Sequence, residues 1–246
     1  MTKKLLITRP DYETTTNYLF KWSEKLITEA NDMGIIVDDL KSNFANRKEF
    51  DKKIKNNHGF VYLNGHGSPN IVTGQNGETL LKFADNESCV KDKIVYAMSC
   101  SSAKRLGKSC VASGGLSYLG YDEDFIFIID EEKINNPKED TLASYFLSPS
   151  NHLVEHLISG KTTGEAFGVS QSVFNDCIKT LSSSEASPAD RDLLPYLVWD
   201  RDHQVCLGKN DAVFKETKDN FQLINILPYL LGFLFIIGLA LWFIIK

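Results

Sequence analysis

Two stretches of the sequence share one plan: residues 59–69, GFVYLNGHGSP, and residues 93–103, KIVYAMSCSSA. In each, a run of apolar residues ends abruptly in small and polar residues, which is typical of a buried strand followed by a turn. Helical patterns alternate with such runs along the chain, and this alternation predicts a parallel sheet with helices on both faces. Ligands bind such sheets at the carboxyl ends of the strands, where His66 and Cys100 stand.

The remaining elements of the first 208 residues continue this α/β pattern. Apolar residues that recur every four positions predict a helix over 12–32, and a charged segment with two apolar positions predicts another over 46–57. The other predicted elements are strands at 5–9, 35–40 and 115–121, a helix that opens in the small residues around Cys100 and runs through 106–111, helices at 144–158 and 163–181, a polar loop at 182–192, and a last strand or hairpin over 194–208.

Composition limits the class of protein. The chain has 246 residues and a formal net charge of −5, which fits one domain with appendages and offers no basic surface for nucleic acid, so no nucleic-acid partner is expected. The chain has five cysteines, an odd number, and no two of them form a C-x-x-C pair. This pattern is typical of proteins whose thiols stay reduced in a cytosol. The apolar run near the N-terminus is too short for a signal peptide. We therefore expect a domain that is not secreted.

Residues 223–245, LINILPYLLGFLFIIGLALWFII, contain no charged side chain. A helix of that length spans roughly 35 Å, which is enough to cross the hydrocarbon core of a bilayer with some tilt. A buried core helix would need a second large core around it. We therefore expect a domain over 1–208, a juxtamembrane linker over 209–222 and one C-terminal transmembrane helix over 223–245. This single span would anchor the chain to the lipid bilayer of the cell membrane, with the domain in the cytoplasm.

His66 and Cys100 supply the groups that a cysteine peptidase needs. A cysteine attacks as its thiolate, which a nearby base or the field at the start of a helix favours, and the pattern predicts a helix start at Cys100. A histidine can return a proton to the leaving amine. Glycine beside the histidine lets a backbone N–H approach the oxyanion, so Gly67 is one expected donor and the amide of Cys100 is the second.

With these features the sequence resembles the caspase-like (clan CD) cysteine peptidases, in which one strand ends in His-Gly and the next in small residues around cysteine. The resemblance covers residues 5–208. Residues 114–125 look like the strand that leads to the substrate loops of gingipains, and residues 152–174 look like their G-x-T-x-G-E-A-F helix pair. Residues 197–210 resemble their closing strand but have Leu-Gly-Lys-Asn in place of L-G-D-P. The histidine and cysteine lie closer together than the roughly 50 residues of caspases, so the gingipain and CHAT branch is the closer match.

The resemblance implies a caspase-like three-layer sandwich, and it implies that His66 and Cys100 are the catalytic pair of an endopeptidase without a cofactor or a metal. Relatives that cut after arginine or lysine often carry an acidic residue two places before the cysteine, where this chain has Met98. Four acidic residues of the following segment, Asp122, Glu123, Asp124 and Asp130, could supply a carboxylate to the substrate pocket, and Asp122 and Asp124 are taken as the candidates. Met98, Asp122 and Asp124 are therefore the candidates for substrate contact, and the specificity stays open.

The expected function is a membrane-anchored cysteine endopeptidase that cleaves a membrane-active or membrane-bound partner protein. Compact proteins of this kind look like those of microbial defence and programmed cell death. One alternative is a catalytically inactive caspase-like fold that serves as a membrane-tethered adaptor. Another is a zinc peptidase, because residues 152–156 match H-x-x-E-H, in which His152 and His156 would bind zinc and Glu155 would activate water. An amphipathic helix explains the same pattern.

Overall fold

The structure is a computed structural model that describes residues 2–216. Within those residues, no helix is long and apolar enough to cross a membrane. The predicted transmembrane helix at 223–245, with the linker residues 217–222, lies outside the described residues. The strands are β1 (Lys4–Arg9), β2 (Ile36–Lys41), β3 (Phe60–Asn64), β4 (Gly67–Ser68), β5 (Ile71–Thr73), β6 (Thr79–Lys82), β7 (Ile94–Met98), β8 (Ser117–Tyr121) and β9 (Gln204–Gly208).

Helices fill most of the connections between these strands. They are α1 (Thr14–Trp22), α2 (Glu24–Asp32), α3 (Arg47–Lys53), α4 (Lys108–Ala112), α5 (Thr141–Ile158), α6 (Thr163–Leu181), α7 (Pro188–Arg191) and α8 (Leu194–His203), with a π-helical turn at Ala103–Gly107 before α4. The central sheet has six strands in the order β2-β1-β3-β7-β8-β9, all parallel except β9. A small antiparallel sheet, β4-β5-β6, is inserted between β3 and β7. The mostly parallel α/β sheet expected from the sequence is confirmed.

The central sheet is covered on both faces, because side chains of successive strand residues point to opposite sides. In β3, Phe60 and Tyr62 join one hydrophobic core, with residues of α1, α2, α5 and α6. Val61 and Leu63 join the other core, with residues of α3 and the segment after Cys100. Helices, sheet and helices therefore form three layers, as expected.

Three local predictions are wrong. The helix expected over 12–32 is two helices, α1 and α2, because α1 ends at Trp22 and is followed by its C-cap Ser23, whose hydroxyl donates to the carbonyl of Leu19 at 2.8 Å. The first ten residues of the predicted strand or hairpin over 194–208 form α8, whose first turn holds a proline, a residue well suited to that position. The helix expected to begin at Cys100 begins only at the π-helical turn that starts with Ala103.

Residues 209–216, the described part of the predicted linker, pack against the domain. Val213 forms an antiparallel bridge with Thr162. Phe214 is completely buried, and its ring lies edge-on to that of Phe60 with 5.7 Å between the ring centroids. This segment therefore contributes to the hydrophobic core at the end of the sheet where the parallel strands begin.

Candidate active site

The register of two neighbouring strands brings His66 and Cys100 to the same edge of the sheet. β3 and β7 are adjacent and parallel, with Asn64 paired to Met98. His66 and Cys100 each lie two residues beyond that pair, and the amide of Gly65 donates to the carbonyl of Met98 at 3.4 Å. The chain thus leaves both strands at the carboxyl edge predicted from the sequence.

The side chain of His66 lies beside the loop that joins β1 to α1. Its Nε2 is 3.3 Å from Oε1 of Glu13, and its ring packs edge-on to the ring of Tyr12. The imidazole is 46% exposed. The carbonyl of His66 accepts hydrogen bonds from the amide and the hydroxyl of Thr73, at 2.9 and 3.2 Å. The small sheet therefore fixes the backbone of His66 and leaves its ring open to solvent.

Glu13 is a site residue that sequence reasoning missed. It is the N-cap of α1: its Oε1 accepts from the amide of Thr16 at 2.6 Å and its Oε2 from the amide of Thr15 at 2.9 Å. Burial alone would raise the pKa of Glu13, but these hydrogen bonds, together with the charge of His66, hold that pKa below its usual value. An anionic oxygen is therefore held in place beside the imidazole.

Cys100 lies in a tight turn built from serines. Ser99 donates a hydrogen bond from its hydroxyl to that of Ser102 at 2.8 Å. Ser101 has a φ of +54°, in the left-handed region. Because Cys100 precedes the first helical residue by three positions and α4 has only five residues, the expected field of a helix start is not available to its thiol.

A segment after β8, residues 122–126, crosses over Cys100, and we call it the strap. The thiol of Cys100 donates to the carbonyl of Phe125 at 3.7 Å. The amide of Ser101 donates to the carbonyl of Glu123 at 2.9 Å, and its hydroxyl donates to Oδ1 of Asp124 at 2.7 Å. The structure therefore brings Asp124, a predicted substrate-contact residue, directly to the turn that carries the cysteine.

The ends of the strap are held by α8. Asp122, the other acidic candidate, lies 2.9 Å from Nδ1 of His203 through its Oδ1, and the indole of Trp199 donates to the carbonyl of Asp124 at 2.9 Å. At the other end, the amide of Ile126 donates to Oδ1 of Asp200 at 3.0 Å. These contacts fix the strap against the domain and leave Cys100 half-buried.

Burial sets the ionisation of the groups under the strap. It raises the pKa of the Cys100 thiol, and the Asp124 carboxylate adds to that rise; this reverses the expectation that the position of Cys100 would lower its pKa. Asp200 is completely buried, its Oδ2 has no hydrogen-bond partner among residues 2–216, and its pKa is raised well above the usual value by burial. Both groups therefore favour their protonated forms.

Gly67 lies against the backbone of Cys100. A Cβ atom on Gly67 would stand only 2.5 Å from the carbonyl oxygen of Cys100 and 3.0 Å from its amide nitrogen. Met98 is placed differently from the expectation: it is 2% exposed, and its sulfur accepts a hydrogen bond from Tyr62 at 3.5 Å. Its side chain points into the core below the site because it alternates with its strand neighbours, so Met98 is not part of the site surface.

The H-x-x-E-H pattern lies on α5, where each of its groups has a local partner. His152 Nδ1 is 2.7 Å from Glu155, Glu155 also pairs with Lys25 of α2 at 3.0 Å, and His156 Nδ1 lies 2.8 Å from the carbonyl of His152. Among residues 2–216, no group of three or more histidine, cysteine or acidic side chains is arranged to hold a metal ion. The third ligand that the zinc interpretation requires is thus not found in that part of the chain.

Comparisons with known proteins identify relatives by structure alone. No protein-family model and no curated protein matches the sequence. The structure is similar to that of the Arg-specific cysteine proteinase gingipain R, with a TM-score of 0.55 and 11% identity over 86% of this chain and 47% of that one. It is also similar to the complex of RgpB pro- and mature domains from Porphyromonas gingivalis, with a TM-score of 0.53 and 8% identity over 85% and 47%. The chain thus spans about half the length of these proteins and shares their fold, which confirms the expected caspase-like architecture in its coarse features.

Proposed function

We propose that the chain is a cysteine endopeptidase with Cys100 as nucleophile and His66 as general acid and base. The observation that carries this proposal is the register of β3 and β7, in which both residues lie two positions beyond a paired Asn64 and Met98. The similarity in fold to gingipain R, a cysteine proteinase, adds support. Glu13 would hold the His66 ring and stabilise it when it is protonated.

The proposed reaction follows the order of thiol-dependent hydrolysis. His66 takes the proton of the Cys100 thiol, the resulting thiolate attacks the carbonyl carbon of the scissile peptide, and a carbon–sulfur bond forms while the amides of Gly67 and Cys100 donate to the oxyanion. His66 gives a proton to the leaving amine as the carbon–nitrogen bond breaks. A water molecule, deprotonated by His66, then hydrolyses the thioester and releases the second product.

Substrate contact is proposed for the strap, through Asp122 and Asp124. The thiol of Cys100 donates to the carbonyl of Phe125 in the strap, so this hydrogen bond must break before the sulfur attacks a peptide.

The proposed location is the inner face of the cell membrane, where residues 223–245 would form a single span. The uncharged sequence of this segment supports the span, and the fact that all five cysteines are free supports a domain on the cytoplasmic side. The anchor would raise the effective concentration of the peptidase near a membrane-bound or membrane-active partner protein. Microbial defence or programmed cell death is the proposed setting.

The test uses the full chain and its Cys100→Ala and His66→Ala variants. We expect each substitution to abolish cleavage of a peptide library, while Cys177→Ala, which changes a partly buried cysteine of α6, leaves it intact. Alkylation of Cys100 should abolish activity, and a chelator should not. Extraction of membranes with alkaline carbonate should leave the full chain, but not a variant lacking 223–245, in the membrane fraction.

One observation favours the alternative of an inactive adaptor: the half-buried Cys100 thiol with its raised pKa. An adaptor would keep its biological effect in the Cys100→Ala and His66→Ala variants and would cleave no member of the library. That pair of results would overturn the peptidase proposal and leave the anchor untouched.

A further inference from the structure

The end of the central sheet opposite the active-site edge, which we call the base, carries most of its charge as lysine. The base is formed by residues 2–4, 32–36, 54–59, 91–93, 113–116, 159–165 and 208–216, where the parallel strands begin and β9 ends. Its sequence contains eight lysines and five acidic residues, whereas the whole chain has a net charge of −5. The base is therefore a positive surface on a negative protein.

The exposed lysines of the base are available to an external anion. Lys55, Lys91, Lys161, Lys209 and Lys215 are exposed, and none is within ion-pair distance of an acidic side chain in residues 2–216. Lysines elsewhere on the domain fall into two groups. Those at 21, 25, 52, 133 and 138 are paired with glutamates, whereas those at 41, 48, 82, 108 and 179 are exposed and, like the base lysines, have no acidic side chain within ion-pair distance in residues 2–216.

Large apolar side chains are exposed between these lysines. Met33 is 54% exposed and Ile36 is 51% exposed. Met33 lines a surface hollow together with Lys3, and Ile36 lines another together with Lys55. Lysines around exposed apolar side chains are typical of surfaces that lie in the interfacial layer of a membrane.

The course of the chain places this surface next to the proposed anchor. Glu216, the last described residue, lines the same hollow as Met33 and Lys3. Only residues 217–222 separate it from the proposed span, which begins at Leu223. Even a fully extended chain covers at most about 25 Å in seven residue steps. The base is therefore the part of the domain nearest to the bilayer.

We infer that the base lies on the membrane surface, with its lysines against anionic phospholipid headgroups and with Met33 and Ile36 in the interfacial layer. This inference rests on the anchor in the proposed function, which brings lipid within reach of the base. Lysines near an anionic surface are attracted over about one Debye length. The active-site edge, at the opposite end of the strands, then faces away from the bilayer.

The experiment compares the full chain in nanodiscs of phosphatidylcholine with the full chain in nanodiscs that also contain phosphatidylglycerol. Acetylation by an amine-reactive reagent is followed for each lysine by mass spectrometry. We expect Lys161, Lys209 and Lys215 to react about threefold or more slowly in the anionic discs, because headgroups cover them. Lys48 and Lys108, which are exposed but lie away from the base, should react at equal rates in both.

Charge reversal gives a matched pair of variants. K161E/K209E/K215E should remove the lipid-dependent protection of Lys55 and Lys91, and K48E/K82E/K108E, which changes three exposed lysines elsewhere, should keep it. Added salt should weaken the protection.

Three results would overturn the inference. Equal acetylation of the base lysines in both kinds of disc would show that anionic lipid does not cover them. Protection that arises in detergent as the protein concentration rises would identify a second copy of the chain as the occupant. A chain that fails to stay in the disc would remove the anchor and this inference with it. Loss of peptidase activity in Cys100→Ala, by contrast, should leave the acetylation pattern unchanged.

Discussion

Two carboxyl groups near Cys100 and His66 have pKa values shifted in opposite directions, because their surroundings differ. The oxygens of Glu13 accept amide hydrogen bonds and lie beside an imidazole, which holds its pKa below the usual value. Asp200 is buried, with one oxygen unpaired among the described residues, and its pKa is well above the usual value. Glu13 can therefore support a protonated His66, while burial favours the protonated form of Asp200, which accepts from the strap amide of Ile126.

We expect Glu13→Gln to lower kcat/KM of the proposed peptidase by about tenfold to a hundredfold, because His66 loses the negative partner 3.3 Å from its Nε2. The loss of the charged N-cap should cost about 1 kcal/mol of stability. Steady-state kinetics measures the change in kcat/KM, and urea unfolding measures the change in stability. Glu185→Gln, on the exposed loop before α7, is the control and should change neither kcat/KM nor stability. Unaltered kinetics of Glu13→Gln would show that Glu13 only caps α1.

We expect Asp200→Asn to change how stability depends on pH. An acid whose folded-state pKa is raised stabilises the fold fully below its unfolded pKa, about 3.9, and this contribution is lost as pH rises towards the folded-state value. Relative to Asp200→Asn, the unmodified chain should therefore lose about 1.4 kcal/mol per pH unit over that window. Urea unfolding at several pH values from acid to neutral measures the difference. Asp192→Asn, at an exposed position, serves as the control, and parallel pH curves for Asp200→Asn would contradict the buried state of Asp200.

His66 and Cys100 could be predicted as candidates because each follows an apolar run directly, so that local sequence places them at strand ends. Glu13 and Asp200 could not. They reach the same region from distant positions in the chain, and their local patterns indicate only a helix start for Glu13 and a polar position in a predicted strand or hairpin for Asp200. Their roles depend on packing between segments, which a single sequence does not display.

At the scale of elements, turns rather than helices position the reactive groups. Cys100 is held by serines and the strap before any helix begins, and His66 by the first strands of the small sheet. The strands of the parallel sheet were predictable because long apolar runs end in small residues. The identity of α8 was not, because its apolar residues follow no clear helical period and only Pro195 marks a helix start.

We expect Gly67→Ala to destabilise the chain by about 1 to 3 kcal/mol and to impair peptidase activity, because the added methyl group would collide with the backbone of Cys100. Gly168→Ala is the matched control: it lies inside α6 with no atom within 4 Å of its added Cβ, so it should stabilise the chain by up to about 1 kcal/mol. Thermal unfolding measures the stability of the two variants, and peptide cleavage measures their activity. A Gly67→Ala variant that retains full stability would contradict the close approach of these two segments.

At the scale of the whole molecule, the chain returns after β9 to close the core at the base. Phe214 is buried against Phe60, and Lys3 lies over its ring. The packing of residues 209–216 against the core could not be predicted from the sequence, because this segment combines charged residues with only three apolar ones. Only residues 217–222 lie between this segment and the proposed anchor in the sequence.

We expect Phe214→Ala to lower the free energy of unfolding by about 3 to 5 kcal/mol, as for other buried phenylalanines. Phe44→Ala, at a side chain that is 61% exposed, should change it by no more than about 0.5 kcal/mol. Urea unfolding of the two variants provides the comparison. Equal stabilities would mean that residues beyond 208 do not belong to the folded unit.

The strands that separate the base from the active-site edge have a nearly fixed length. From Ile94, at the start of β7, to Cys100 the chain rises roughly 20 Å at about 3.3 Å per residue. A domain that rests on a bilayer by its base would act as a ruler and would cut at a set height above the membrane. Substrates would then be selected by the height of their cleavable peptide bond above the membrane. Lengthening the segment that connects this bond to the membrane should protect the bond from cleavage, even when the sequence around the bond is unchanged.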